Sequence, residues 1–287
     1  MYAAIDFGIS NTDAVAYING QLRRWTRPSE KQTDPELVRT VLADGKIELS
    51  SLHHLAVTGG RHRLLPDRIG DRAVVRVHEI QAIGRGGQAV AGLPAEEGDT
   101  PILVMSAGSG TAIVAARGDQ YAHVTGTGVG GGTLLGLSRL LLHTTDPHEI
   151  DALAQRGDPN GADLSLADVV IGPIGQLPAD ATAVNFGRLA HQDLTVSRED
   201  LAAALVTLVG QVIAIVAINA ARAQHIERIV VTGHLIDMPT MRSALERVGD
   251  FYNSPITLPP DAGYATALGA LLQSAAISID EWVVVSE

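Results

Sequence analysis

Residues 123–141 read His123-Val-Thr-Gly-Thr-Gly-Val-Gly-Gly-Gly-Thr-Leu-Leu-Gly-Leu-Ser-Arg-Leu-Leu141. Bare glycines let backbone amides approach an anion closely, and the run from Thr133 to Leu142 predicts a helix whose N-terminus favours negative charge. Gly126, Gly128 and Gly131 spell GxGxxG, the dinucleotide pattern. That pattern needs the first strand–turn–helix of a βαβ unit. Here it lies mid-chain and follows a hairpin. Ile102 to Met105 and Thr111 to Ala116 read as strands around the turn Ser106-Ala-Gly-Ser-Gly110, and Gly118-Asp119 turns into a third strand, Gln120 to Val124. This context speaks against a nicotinamide dinucleotide site.

The start of the chain has the same plan. Tyr2 to Asp6 reads as a buried strand, Phe7 to Thr12 as a turn, and Ala14 to Tyr17 as a second strand; Asn19-Gly20 then forms a hairpin into Gln21 to Trp25. Strand, small-residue turn, strand and hairpin thus occur twice, about 100 residues apart, which predicts two related lobes with a cleft between them. The polar stretch Pro94 to Asp99 reads as the hinge, dividing the chain into residues 1–98 and 99–287. Helices are predicted near 34–42, 78–90, 147–156, 198–224, 239–248 and 262–274, and a strand at Ile229 to Thr232. Three glycines weaken the helix at 78–90.

Composition removes several classes. The formal charge is −11 with no basic cluster, which disfavours nucleic acid and anionic membrane as partners. The ten histidines are scattered without metal-ligand spacing, and the absence of cysteine excludes disulfides and thiol catalysis. The opening Met1-Tyr-Ala-Ala-Ile-Asp6 has neither a basic start nor a long apolar core, so a cytoplasmic protein is expected. Leu201 to Ala221 is uncharged and long enough to span a bilayer. However, Ser197 with two following acids reads as a helix N-cap, and Gln211 and Asn219 would sit at membrane depth, so a buried helix is expected instead.

Four places could carry chemistry. Asp6-Phe-Gly-Ile-Ser-Asn-Thr12 puts an aspartate at a strand end, where it can hold Mg²⁺ through water, before a turn of amides and hydroxyls suited to phosphate oxygens; an ordinary hairpin with a solvated Asp has the same sequence. The glycines of 126–132 offer a stronger phosphate site, against the alternative of a tight strand-to-helix connection. Val231-Thr-Gly-His234 is a third small-residue turn, suited to packing on an adenine. Glu79 stands at a predicted helix start, as either a general base or an ordinary first-turn acid.

Taken in order, these motifs resemble the type II pantothenate kinases, a family of the acetate/sugar kinase–chaperone ATPase–actin superfamily. The resemblance runs nearly end to end. Beyond 123–141 it is carried by Ala107-Gly-Ser-Gly110, Gly157-Asp-Pro-Asn-Gly-Ala-Asp163, Asn185-Phe-Gly-Arg188, Val196-Ser-Arg-Glu-Asp-Leu201, Val231-Thr-Gly-His-Leu235 and Ala262-Gly-Tyr-Ala-Thr-Ala-Leu-Gly-Ala-Leu271. It implies an α/β, two-lobed actin-like ATPase (ribonuclease H-like) fold with duplicated mixed-sheet lobes. It also implies ATP and Mg²⁺ as cofactors and a pantothenate-like acceptor, with Glu79 as catalytic base. The nucleotide would be held by Asp6, Gly8, Ser10, Asn11, Thr12, Gly126, Thr127, Gly128, Gly130, Gly131, Gly132 and Gly233. Ser109, Ala112, His123 and Thr125 would line the acceptor, and Asp6 and Asp13 would hold the metal through water. A homodimer through helix 198–224 and coenzyme A or acetyl-CoA as feedback ligand follow from the same resemblance.

Three positions depart from the family pattern. Asp13 stands where the family's first loop has a lysine, His123 where it has a substrate-binding arginine, and Ala112 where it has a second serine. An anion at 13 repels phosphate unless it binds metal, and a neutral imidazole is a poorer carboxylate clamp than a guanidinium. Asn11 to Val15 also resembles the first loop of hydantoinase/oxoprolinase-type ATPases. An ATPase without an organic acceptor, and a nucleotide- or coenzyme A-binding regulator, are therefore the competing classes.

Overall fold

The computed structural model describes residues 1–93, 100–171, 178–191 and 195–275, and the backbone of 283–284. The expected hinge at 94–99, and with it the expected boundary at 98, lies outside the described residues. In the first lobe, β1 (Tyr2–Phe7), β2 (Asn11–Ile18) and β3 (Gln21–Pro28) form an antiparallel meander. Next comes α1 (Pro35–Asp44), capped by Asp34, whose carboxylate accepts from the Leu37 amide at 2.9 Å. It returns the chain so that β4 (His54–Thr58) lies parallel to β1. β5 (Arg68–Ile69) and β6 (Arg72–Arg76) complete that edge, and α2 (Glu79–Val90) leaves it.

The second lobe repeats the plan with β7 (Ile102–Ala107), β8 (Thr111–Arg117) and β9 (Gln120–Thr127). Then follow α3 (Gly131–Leu141), α4 (Pro147–Ala154), β10 (Leu164–Ser165), α5 (Leu166–Val169), β11 (Thr182–Val184) and α6 (Gly187–His191). The long α7 (Arg198–Ala223) leads into β12 (Arg228–Thr232), parallel to β7. The order ends with α8 (Pro239–Phe251), β13 (Ile256–Thr257), α9 (Ala265–Ser274) and β14 (Val283–Val284).

The strand orders are β14-β3-β2-β1-β4-β6-β5 and β13-β12-β7-β8-β9. In each sheet a three-stranded meander continues into a parallel strand beside its first member. Even the register repeats, with Asp6 opposite Thr58 in one sheet and Ser106 opposite Thr232 in the other. The duplicated mixed sheets expected from the sequence are therefore present.

The lobes are not segregated along the chain. Ala267, Ala270 and Leu271 of α9 share a core with Ala4, Val15 and Ala56 of the first sheet. Ile83 of α2 shares one with Ile102, Val104 and Val114 of the second. The two helices cross between the sheets, and the glycines of α2 are the reason. A Cβ at Gly86 would lie 2.6 Å from the Ala265 carbonyl carbon, and one at Gly269 would lie 2.8 Å from that of Ala82. The helix-weakening glycines are thus the contact surface of the crossing.

α7 explains the apolar run at 201–221. Ser197 caps it through the Asp200 amide at 3.0 Å, and most of its apolar stretch is buried in the second lobe's core with β7, α4 and α8. Its lack of charge follows from burial on several sides. The segments 157–163 and 185–188 form a clasp on this helix. Fully buried Asp163 accepts from the Phe186 amide at 2.7 Å and Thr182 Oγ1 at 3.0 Å, and Asn185 Nδ2 donates to Gln211 at 3.1 Å.

Candidate active site

The two strand-end turns face each other across a cleft of about 630 Å³. Residues 8–10 join β1 to β2, and residues 108–110 join β7 to β8. Their tips touch, with Ser10 Oγ 2.7 Å from Ser109 Oγ. Asp6, Gly8, Ser10, Asn11 and Asp13 line the cleft from one lobe; Ser109, Ala112, Thr127, Gly131 and Gly233 line it from the other. Glu79 lies at the start of α2, between them. A depression of about 680 Å³ beside α1 and the β5–β6 hairpin contains none of these residues.

Strand alternation sorts the remaining expected residues. Thr12 is buried on the face of β2 opposite to Asn11 and Asp13, so it does not line the cleft. Thr125 pairs with Ile113 and shares its face, away from Ala112 and the cleft. His123 pairs with Val114 at a bulge on the edge strand β9, where it is exposed and lies outside the lining. Gly126 is a strand residue opposite Ala112, because β9 runs on to Thr127. The free loop is therefore shorter than the sequence suggests. It comprises residues 128–130, with Gly128 exposed and its carbonyl accepting from Thr133 Oγ1 at 3.1 Å.

The last three glycines pack against the first turn of their own lobe. The Gly131 amide donates to the Gly108 carbonyl, and the Gly132 amide to the Ser109 carbonyl, each at 2.8 Å. A Cβ at Gly130 would lie 2.9 Å from the Gly108 oxygen, and one at Gly132 would lie 3.0 Å from that of Ser109. These amides are already engaged, so they are not free phosphate donors. Docking instead brings the N-terminus of α3 against the 108–110 turn, whose Ser109 and Gly110 amides make no turn hydrogen bond of their own. Gly233, at φ +100°, lets the turn after β12 pass so close to Ala107 that a side chain would clash.

The cleft is acidic. Asp6 and Asp13 are direct cross-strand neighbours. Burial, then the charges of Asp13 and Glu79, push the Asp6 carboxyl up to about 8, against the opposing pull of His234. His234 is the residue that sequence reasoning underrated. Its Nε2 lies 2.9 Å from Asp13 Oδ1 of the other lobe, and its Nδ1 lies 2.6 Å from Asp237 Oδ2. Burial opposes its charge, but the hydrogen bonds and charges of Asp13 and Asp237 prevail and raise it to about 10. Beside it, Tyr264 packs edge-on at 5.2 Å, Arg24 lies over the Tyr264 ring, and Arg24 pairs with Asp261 at 2.6 Å. No local signal marked this cluster, since its members come from β2, β3 and the turns after β12 and β13. The far end of the cleft is apolar, lined by Leu134, Leu135, Pro147, Leu235 and Met238.

Fold and cleft define a class, the two-lobed actin-like ATPase fold shared by sugar kinases and ATPases. Among solved structures, the chain is similar to an activator of 2-hydroxyisocaproyl-CoA dehydratase from Clostridium difficile with bound ADPNP. The TM-score is 0.63 at 15% identity, covering 98% of this chain and 94% of that one. It is also similar to a ROK hexokinase from Thermus thermophilus, with a TM-score of 0.52 at 14% identity over 95% and 98% of the two chains. The sequence profile of the Fumble family matches residues 88–273. A type II pantothenate kinase of Oceanobacillus iheyensis is 30% identical over 79% of this chain and 84% of its own length; one of Bacillus cereus is 28% identical over 78% and 83%. The chain belongs to the type II pantothenate kinase (Fumble) family.

Proposed function

We propose that this protein is an ATP-dependent kinase that phosphorylates the hydroxyl of pantothenate or a closely related alcohol. One observation carries the reading, namely that both strand-end turns and Glu79 line a single cleft between the lobes. The triphosphate would lie along residues 8–10 and 108–110, met by turn amides and the α3 N-terminus, with the adenine toward Leu235 and Met238. Glu79 would take the proton of the acceptor hydroxyl. That oxygen would then bond to the γ-phosphorus as the bond from phosphorus to the β–γ bridging oxygen breaks, releasing ADP.

The donor set fits Mg²⁺. Asp6 and Asp13 are opposed carboxylate oxygens, and without a cation Asp6 holds its proton. These two residues would hold the ion, which when bound neutralises phosphate charge. The lobes, divided along the chain near residue 98 except that α9 and β14 return to the first, would close on the nucleotide, with the Ser10–Ser109 and Asp13–His234 contacts joining them.

Leu208, Val212 and Ile215 form a half-exposed stripe on α7 that would meet its copy in a homodimer. Feedback by coenzyme A or acetyl-CoA at the acceptor end and a cytoplasmic location complete this reading.

A coupled ADP-release assay tests the proposal. Pantothenate-dependent ADP supports it, and acceptor-independent ADP supports an ATPase instead. Turnover retained in Glu79→Gln would remove Glu79 as the base.

A further inference from the structure

The cleft is lined by carboxyl groups but by no lysine or arginine. Asp6, Asp13 and Glu79 line it, with Asp6 and Asp13 directly opposite each other on adjacent strands. The chain's 21 lysines and arginines all fall within the described residues, and none of them lines the cleft. Arg24 is paired with Asp261, and Arg76 with Asp67. Arg85 is buried in α2 near Tyr121, outside the lining. The one cationic group present, His234, has both ring nitrogens engaged by Asp13 and Asp237.

Phosphates can be met by turn amides, the helix N-terminus and a divalent ion. An acceptor carboxylate beyond them has no such partner. Besides Glu79 the cleft wall includes Ile83, Ser106, Ala112 and Thr266, which are apolar or hydroxylic. These side chains suit amide and hydroxyl groups, which need hydrogen bonds but no counter-ion.

We infer that the acceptor site, on the kinase reading above, selects an uncharged amide alcohol over the corresponding carboxylate. The lysine- and arginine-free cleft, already lined by three carboxyl groups, disfavours the carboxylate of a hydroxy acid.

The test compares pantothenate with its primary amide, in which only the carboxylate is replaced, using the full-length chain, ATP and Mg²⁺. The expected kcat/KM favours the amide by about tenfold or more, the scale of one uncompensated charge in a partly solvated cleft. Equal or better use of pantothenate overturns the inference while leaving the kinase reading intact; a cation supplied by a second copy would give the same result. No acceptor-dependent ADP with either compound removes the kinase reading and the inference with it. Calorimetric binding of both compounds in the presence of a non-hydrolysable ATP analogue supplies a readout independent of turnover. Glu79→Gln should narrow the affinity gap there several-fold, and an unchanged gap overturns the electrostatic cause.

Discussion

Replacing Gly86 by alanine tests how the fold places its catalytic candidate. On an isolated helix this change stabilises by about 1 kcal/mol. Here the new Cβ would stand 2.6 Å from the Ala265 carbonyl carbon and closer still to its oxygen. Ordinary carbon contacts are about 3.5 Å or more, so α2 and α9 must part by roughly 1 Å. Overpacking of that kind costs about 1–3 kcal/mol, and a cost near the middle of that range outweighs the propensity gain. A net loss near 1 kcal/mol lowers Tm by about 2–4 °C in a chain of this size. The larger effect is on function. Glu79 begins the same helix, and a displacement of about 1 Å at a reacting group can cost roughly 10²-fold in rate. Thermal unfolding and steady-state kinetics would be measured together. A Tm at or above that of the parent would refute the crossing argument. A lowered Tm with kcat within twofold of the parent would refute the link from crossing to Glu79.

Arg85 is buried with its Nη1 unpartnered, and burial lowers its pKa, so Arg85→Met should raise stability by about 1–3 kcal/mol in urea unfolding; a loss would show an unrecognised partner. His54 at the head of β4 has a buried, unpartnered Nε2, and burial depresses its folded-state pKa below 6.5. Its folded form resists a proton that the unfolded chain accepts, so the parent should lose stability relative to His54→Phe as pH falls below 6.5, and the two should run parallel above it. Parallel Tm curves throughout the acid range would sink that assignment. Gly130→Ala should disturb the docking of α3 on the 108–110 turn, raising KM for ATP more than KM for the acceptor; the reverse pattern would place the nucleotide elsewhere.

Much of the architecture was legible along the chain because its determinants are local. Alternation, Asn19-Gly20 and the Gly118-Asp119 turn specify the hairpins, and their recurrence specifies two lobes. Asp6, Gly8, Ser10, Asn11, Ser109 and Glu79 could be named because strand ends and helix starts put short polar side chains at predictable places. The phase of each strand was harder to read. Thr12 and Thr125 point away from the cleft because the side-chain period is two, and β9 runs two residues into the glycine run, which makes Gly126 a strand residue.

Element order, the duplication and the acidic, lysine-poor composition can be read along the chain, because they are properties of neighbouring residues or of sums over them. Tertiary structure decided what those residues meet. It brought Asp13 to His234 across 221 positions and engaged the Gly131 and Gly132 amides with a turn rather than leaving them open to a ligand. It also turned the glycines of α2 into a helix crossing. Charge pairing and close packing depend on distances in space, and a chain read residue by residue does not contain those distances.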